Sequence, residues 1–167
     1  LYGDLSNRVM SILTRYSDIS EIYSIDECFL KMVGYERYFD FKTMGLDMKY
    51  NVQKSVGIPI SVGYAETKAL AKVANKIAKK YPKETQGVHI IDTEEKRIKG
   101  LKWTEIGDVW GIGRQHTQRL KAIGVNNAYQ FTLLSDEWVR KNMTIQGLRL
   151  KKDLMGIPSI QMEEVQD

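Results

Sequence analysis

Apolar residues at Leu1, Leu5, Val9, Ile12, Leu13 and Tyr16 recur at helical spacing and predict an amphipathic helix. The pattern then changes. "EIYSIDECFLKM" (Glu21 to Met32) is rich in Ile, Tyr and Phe and predicts strand, with a turn at the acidic pair Asp26–Glu27. From Asp40 to Val56, the set Phe41, Met44, Met48 and Val52 predicts a second helix, which Gly57 ends. "IPISVGY" (Ile58 to Tyr64) predicts a short buried strand, with Pro59 tolerated near its start. "ETKALAKVANKIAKKYPK" predicts a third helix with Leu70, Val73, Ala74, Ile77 and Ala78 on one face. "GVHIID" (Gly87 to Asp92) predicts another strand. Helix and strand alternate, which predicts α/β layers.

After Asp92 the texture shifts. "TEEKRIKG" reads as a charged connector and marks a domain boundary. Beyond it lie short helical patterns with glycine turns and little strand signal. Helical segments are predicted after Gly113, around Ala128 to Leu134, and from Glu137 to Met143. "MGIPSIQMEEVQD" reads as an extended polar linker or tail.

Composition narrows the class. The 167 residues are 43% apolar and 28% charged, as in an ordinary globular chain. No apolar run approaches the roughly 20 residues that span a bilayer, and there is no signal-peptide pattern. The chain starts at Leu1, inside a helical pattern, and is expected to be a piece of a longer protein. The lone cysteine, Cys28, cannot form an internal disulfide, so a reducing, cytoplasmic setting is expected. Its neighbouring carboxylates are expected to raise its pKa, leaving it a packing residue. Net charge is +4, compatible with a polyanionic partner.

Three stretches carry chemistry. Asp26 and Glu27 are adjacent carboxylates beside the apolar residues Tyr23, Ile25, Phe29 and Leu30, which call for burial. Mg²⁺ takes hard oxygen ligands, keeps waters and shares phosphate oxygens, so few protein carboxylates suffice. Successive strand residues face opposite ways, so only a twist or turn lets both carboxylates serve one place. The bland alternative is a solvated turn. Secondly, Lys68, Lys72, Lys76, Lys79 and Lys80 crowd one helix, Lys83 follows, and only Glu66 and Glu84 lie near in sequence. Such like charges repel unless a phosphate backbone or other anion relieves them; a solvated cationic face is the alternative. Thirdly, "GDVWGIGRQHTQRLKAIG" (Gly107 to Gly124) has the form of a helix-hairpin-helix. Glycines there open backbone N–H groups at a helix start, which bind phosphate without reading sequence. His89 and His116 lack partners at zinc-ligand spacing.

"YSIDECFL", "GIPISVGYAETKALAKVANKIAKK" and "DVWGIGRQHTQRLKAIGV", in that order, resemble the Y-family (translesion) DNA polymerases, in their UmuC branch. "LYGDLSNRVMSIL" and "LMGIPSIQMEE" share the resemblance, which covers nearly the whole chain. It implies an α+β fold: a palm-type α/β sandwich, a mixed sheet with helices on one face, then a small all-helical thumb with a helix-hairpin-helix. Residues 1–92 would be a partial palm, 93–156 the thumb and 157–167 a linker or tail. Asp26 and Glu27 would be catalytic carboxylates binding two Mg²⁺ ions. Lys79 would bind the nucleotide triphosphate, with Lys68 and Lys72 as candidate phosphate contacts. Gly111, Ile112, Gly113 and Arg114 would grip the DNA backbone. Lys31 departs from the family pattern, which usually has an acidic residue there. The family's first metal-binding aspartate has no match ahead of Asp26.

The resemblance implies error-prone, template-directed nucleotidyl transfer in SOS damage tolerance. Its partners would be primer-template DNA, deoxynucleoside triphosphates, a sliding clamp and a UmuD-type subunit, in the bacterial cytoplasm at the nucleoid. The chain alone is expected to be inactive and to self-associate through an unpaired palm edge. The alternative is a non-catalytic module binding DNA backbone without sequence preference. A nuclease is disfavoured because no further acidic cluster or histidine accompanies the pair.

Overall fold

The computed structural model describes residues 1–162; the last five residues of the expected tail, 163–167, lie outside the described residues. Eight helices are described: α1 (Tyr2–Leu13), α2 (Phe41–Val56), α3 (Lys68–Lys80), α4 (Pro82–Thr85), α5 (Glu94–Trp103), α6 (Arg114–Ala122), α7 (Ala128–Thr132) and α8 (Asp136–Leu154). Four strands accompany them: β1 (Ser20–Ser24), β2 (Glu27–Leu30), β3 (Val62–Tyr64) and β4 (Val88–Ile90). This is the expected α+β class, with strands confined to the first part of the chain.

The sheet is arranged differently from the expectation in two respects. The mixed pairing is divided between two small sheets: β1–β2 antiparallel and β3–β4 parallel. Helices also cover both faces of β3–β4, not one. On one face Tyr64 stacks on Phe41 of α2 at 4.7 Å, and Gly45 of α2 lies against Val88. On the other, Gly63 lies against the backbone of α3, where a Cβ would come within 2.2 Å of the Asn75 nitrogen. Successive strand residues point oppositely, so Gly63 and Tyr64 can serve two helices at once.

Side-chain caps fix most helix starts. Asp40, Thr67, Thr93, Asn127 and Ser135 each accept a backbone N–H in the first turn of α2, α3, α5, α7 and α8. The expected connector "TEEKRIKG" is therefore helix: Thr93 caps α5, and Glu94 and Glu95 suit its positive N-terminus. α8 matches the expected helix up to its end at Met143 and then resumes, which was not expected. It turns sharply at Thr144, whose backbone is non-helical (φ 64°, ψ −172°). A straight helix would separate Asp136 from Lys151 by about 22 Å, yet their side chains form an ion pair at 2.6 Å.

The larger core gathers Leu101, Ile106, Leu120, Phe131, Val139 and Leu154 with Leu70 of α3. A smaller one joins Val73 and Ala74 of α3 to Ile91. α3 thus enters both cores with its apolar face and keeps its lysines on other faces.

Candidate functional site

Asp26 and Glu27 stand at the tip of the β1–β2 hairpin. Ser20 lies opposite Leu30, Glu21 opposite Phe29, Ile22 opposite Cys28 and Ser24 opposite Glu27. The register shifts between Ile22 and Ser24, which makes Tyr23 an extra, bulged residue. Ile25 and Asp26 form the turn. Ser6 Oγ of α1 donates to the Ile25 carbonyl, and Ser24 Oγ donates to the Asp26 carboxylate at 2.8 Å. The burial expected of the neighbours is only partial. Phe29 and Leu30 are half-buried, but Tyr23 is 46% and Ile25 51% exposed. Asp26 itself is exposed and Glu27 half-buried.

The lysine helix meets this hairpin. Lys72 Nζ lies 2.5 Å from Glu27 Oε1. One turn back, Lys68 is paired with Glu21, both buried, and donates to the Gln161 carbonyl at 2.9 Å. One turn on, Lys76 lies 3.3 Å from Asp108. The sequence left these lysines without partners, because it offered only neighbours along the chain. The partners come instead from β1, β2 and the 3-10 turn at Ile106–Asp108. Lys68 and Lys72, read as candidate phosphate contacts, are both engaged by carboxylates. Lys79 and Lys80 are exposed in the last turn.

The glycine loop follows a 3-10 turn at Ile106–Asp108. Gly111 has φ +92°, open to glycine at little cost. Ile112 is buried in the larger core. Gly113 is the N-cap of α6 and Arg114 its first residue, exposed. No side-chain hydrogen bond caps α6, and Gly113 and Arg114 at its positive end are exposed.

An aromatic cluster joins the loop to the hairpin, and the sequence reading missed it. Trp110, Tyr23 and Phe29 meet pairwise with ring centroids 5.7–5.8 Å apart. Their order along the chain gave a weak signal: two rings flank the acidic pair and the third precedes Gly111. Cys28 is a packing residue, but for another reason than its acidic neighbours: burial pushes its thiol up to about 11. His89 is pushed down by burial and then by Lys96 and Lys42. Among the described residues, no group of three or more His, Cys, Asp or Glu side chains is placed to hold a metal. No helix among them is long and apolar enough to cross a membrane.

Residues 1–76 match the impB/mucB/samB family. Over 164 residues the chain is 35% identical to Protein UmuC of Salmonella typhimurium, covering 98% of this chain and 39% of that protein. The chain is thus similar to the impB/mucB/samB family over residues 1–76 and to a UmuC protein over nearly its whole length. DNA polymerase IV of Saccharolobus solfataricus is 35% identical over 128 residues, 75% of this chain and 34% of that one. A DinB family error-prone DNA polymerase from Sulfolobus solfataricus superposes with a TM-score of 0.76 at 25% identity, over 97% of this chain and 48% of that one. The chain spans about two fifths of the UmuC relative that it matches. The matched stretch holds the acidic turn and Lys68, Lys72 and Lys76; the glycine loop lies beyond it.

Proposed function

We propose that this chain is the palm-and-thumb part of an error-prone translesion DNA polymerase acting in SOS damage tolerance. Residues 1–92 serve as palm, 93–156 as thumb and 157–167 as linker. One observation carries the reading: the Glu27–Lys72 contact sets an acidic turn against a cationic helix, in a chain similar along 97% of its length to an error-prone polymerase. The turn gathers negative charge, and Lys79 extends the positive side to solvent.

The donor set fits a hard cation. Asp26 is exposed, Glu27 is half-exposed, and both offer only oxygen. Two such carboxylates suit Mg²⁺, with waters and substrate phosphates completing the shell. A pair of bound ions would polarise the α-phosphate and stabilise both attacking and leaving oxygens. The protein's own part is placement. Asp26, steadied by Ser24, and Glu27, which here pairs with Lys72, would hold the metal. Lys79 neutralises triphosphate charge. Gly111, Gly113 and Arg114 offer N–H groups and a guanidinium to a backbone phosphate, while buried Ile112 anchors them. Partners are primer-template DNA and deoxynucleoside triphosphates, with a sliding clamp and a UmuD-type subunit beyond this segment, in the cytoplasm.

The test uses the full-length protein that carries this segment. Asp26→Ala and Glu27→Ala should each lower primer extension by about a thousandfold or more while DNA binding persists. Extension at the wild-type rate in either variant overturns the assignment.

The uncapped start of α6 favours a second reading for the 167-residue chain alone: a sequence-independent DNA-backbone binder that extends no primer. Its affinity for duplex DNA should fall steeply with salt. Unchanged affinity in Gly111→Ala and Arg114→Ala would remove the loop from that account.

A further inference from the structure

Trp110 ties the glycine loop to the acidic turn. It directly precedes Gly111, and its Nε1–H donates to Tyr23 Oη at 2.9 Å across 87 residues of chain. Its ring meets Tyr23 edge-on at 5.7 Å and Phe29 at 5.8 Å. Tyr23 stands three residues before Asp26, and Phe29 two after Glu27, so the rings straddle the carboxylates. The bulge matters here. It adds one residue to β1, which re-aims Tyr23 out of the regular alternation.

The same cluster engages the lysine helix. Lys72, which pairs with Glu27, lies over the Tyr23 ring at 5.6 Å, and Lys68 over Phe29 at 5.0 Å. Lys76 holds Asp108, two residues ahead of Trp110. On its other side the loop rests on the helical core, with Leu150 within 3.4 Å of where a Gly111 side chain would begin. The loop is therefore held from both sides. Tyr23 keeps 46% of its surface in solvent, so the cluster is not a sealed interior whose purpose is to exclude water.

We propose that Trp110 is a positioning residue: its contact with Tyr23 sets the distance between the phosphate-gripping loop and the acidic turn. The inference rests on the polymerase reading above. Small errors in the placement of reacting groups cost rate more than they cost binding, because the near-attack geometry is lost first.

The experiment measures single-turnover nucleotide addition by the full-length protein. Trp110→Phe keeps a ring and removes the N–H; Tyr23→Phe removes its acceptor. Each should slow addition about tenfold, with nucleotide KM and DNA affinity held within about twofold. The double variant should be no slower than either single one, since both remove the same contact. Trp110→Leu should be slower still. Thermal midpoints show that each variant is folded. Unchanged rates in both Phe variants, losses that multiply in the double, or a loss of DNA affinity equal to the loss of rate would each overturn the proposal. Asp26→Ala, measured alongside, separates the two failures. If it extends primer normally, the acidic turn is not the metal site, and this inference, which measures the loop against that turn, falls with that assignment. If it is inactive while the Phe variants keep full rate, only this inference falls.

Discussion

Cys28 sits across the ladder from Ile22, one residue beyond the acidic pair. Burial raises its pKa from 9.0 to about 11 because a thiolate there would be stripped of water. The sign for stability follows. A raised folded pKa means that the folded chain holds the proton more tightly than the unfolded one. The stabilising contribution is complete below pH 9 and is lost as pH rises from 9 towards 11. Two measurements check this. Alkylation of Cys28 in the native chain should stay slow until the pH nears 11, and Cys28→Ala should flatten the fall in stability between pH 9 and 11. Fast labelling at neutral pH would contradict the burial. At this scale the sequence was informative about identity and poor about partners. Asp26, Glu27 and the lysines could be picked out by type and spacing. That Lys72 reaches Glu27, 45 residues away, could not, because the contact depends on how a hairpin docks on a helix.

Among the elements, β3 and α3 depend on a glycine with no left-handed backbone. Gly63 is needed for space: a Cβ would stand 2.2 Å from the Asn75 nitrogen and 2.6 Å from the Ala71 oxygen, both backbone atoms. Backbone cannot rotate aside as a side chain can, so the strand or the helix must shift. Gly63→Ala should destabilise the chain by about 3 kcal/mol, read as a lower urea midpoint. A loss under about 0.5 kcal/mol would mean that the contact is looser than it stands. Thr144 presents the opposite case. Its φ of 64° and ψ of −172° belong to a region that only glycine occupies comfortably. Thr144→Gly should therefore stabilise the chain by about 1 kcal/mol, strain relief exceeding the added unfolded entropy. A lower thermal midpoint would refute that strain. These cases explain which elements were legible. Periodicity exposed the first three helices and all three strand regions, and the Gly-x-Gly loop was visible by composition. The helical stretch beyond the break in α8 was not read, although the expected end at Met143 falls one residue before Thr144. α5 was missed because its charged surface hid a Thr93 cap that could have been noticed.

Across the whole molecule, α3 positions the site, and a buried aspartate holds α3. Asp153, fully buried near the end of α8, accepts from the backbone N–H of Ala69 at 2.7 Å, Ser159 at 3.1 Å and Ile160 at 3.4 Å. Its carbonyl accepts from Thr67 Oγ1 at 2.8 Å. One carboxylate thus ties the helical core to the start of the lysine helix and to the chain leaving α8. It also satisfies an N–H at the positive end of α3, where negative charge is favoured. The loop, the aromatic cluster and the acidic turn all reach α3 through Lys68, Lys72 and Lys76, so slack at its start should reach the site. Asp153→Ala leaves the Ala69 N–H buried without its acceptor and should cost about 3 kcal/mol. Asp153→Asn keeps the shape and one accepting oxygen, and should cost roughly half as much. Urea unfolding measures both. Hydrogen exchange adds a local reading: the Ala69 amide should lose protection in Asp153→Ala well before amides in the β1–β2 ladder do. Equal stability of the two variants would mean that the carboxylate fills space without holding the helix, and the route from α8 to the acidic turn would then have to run through the larger core alone.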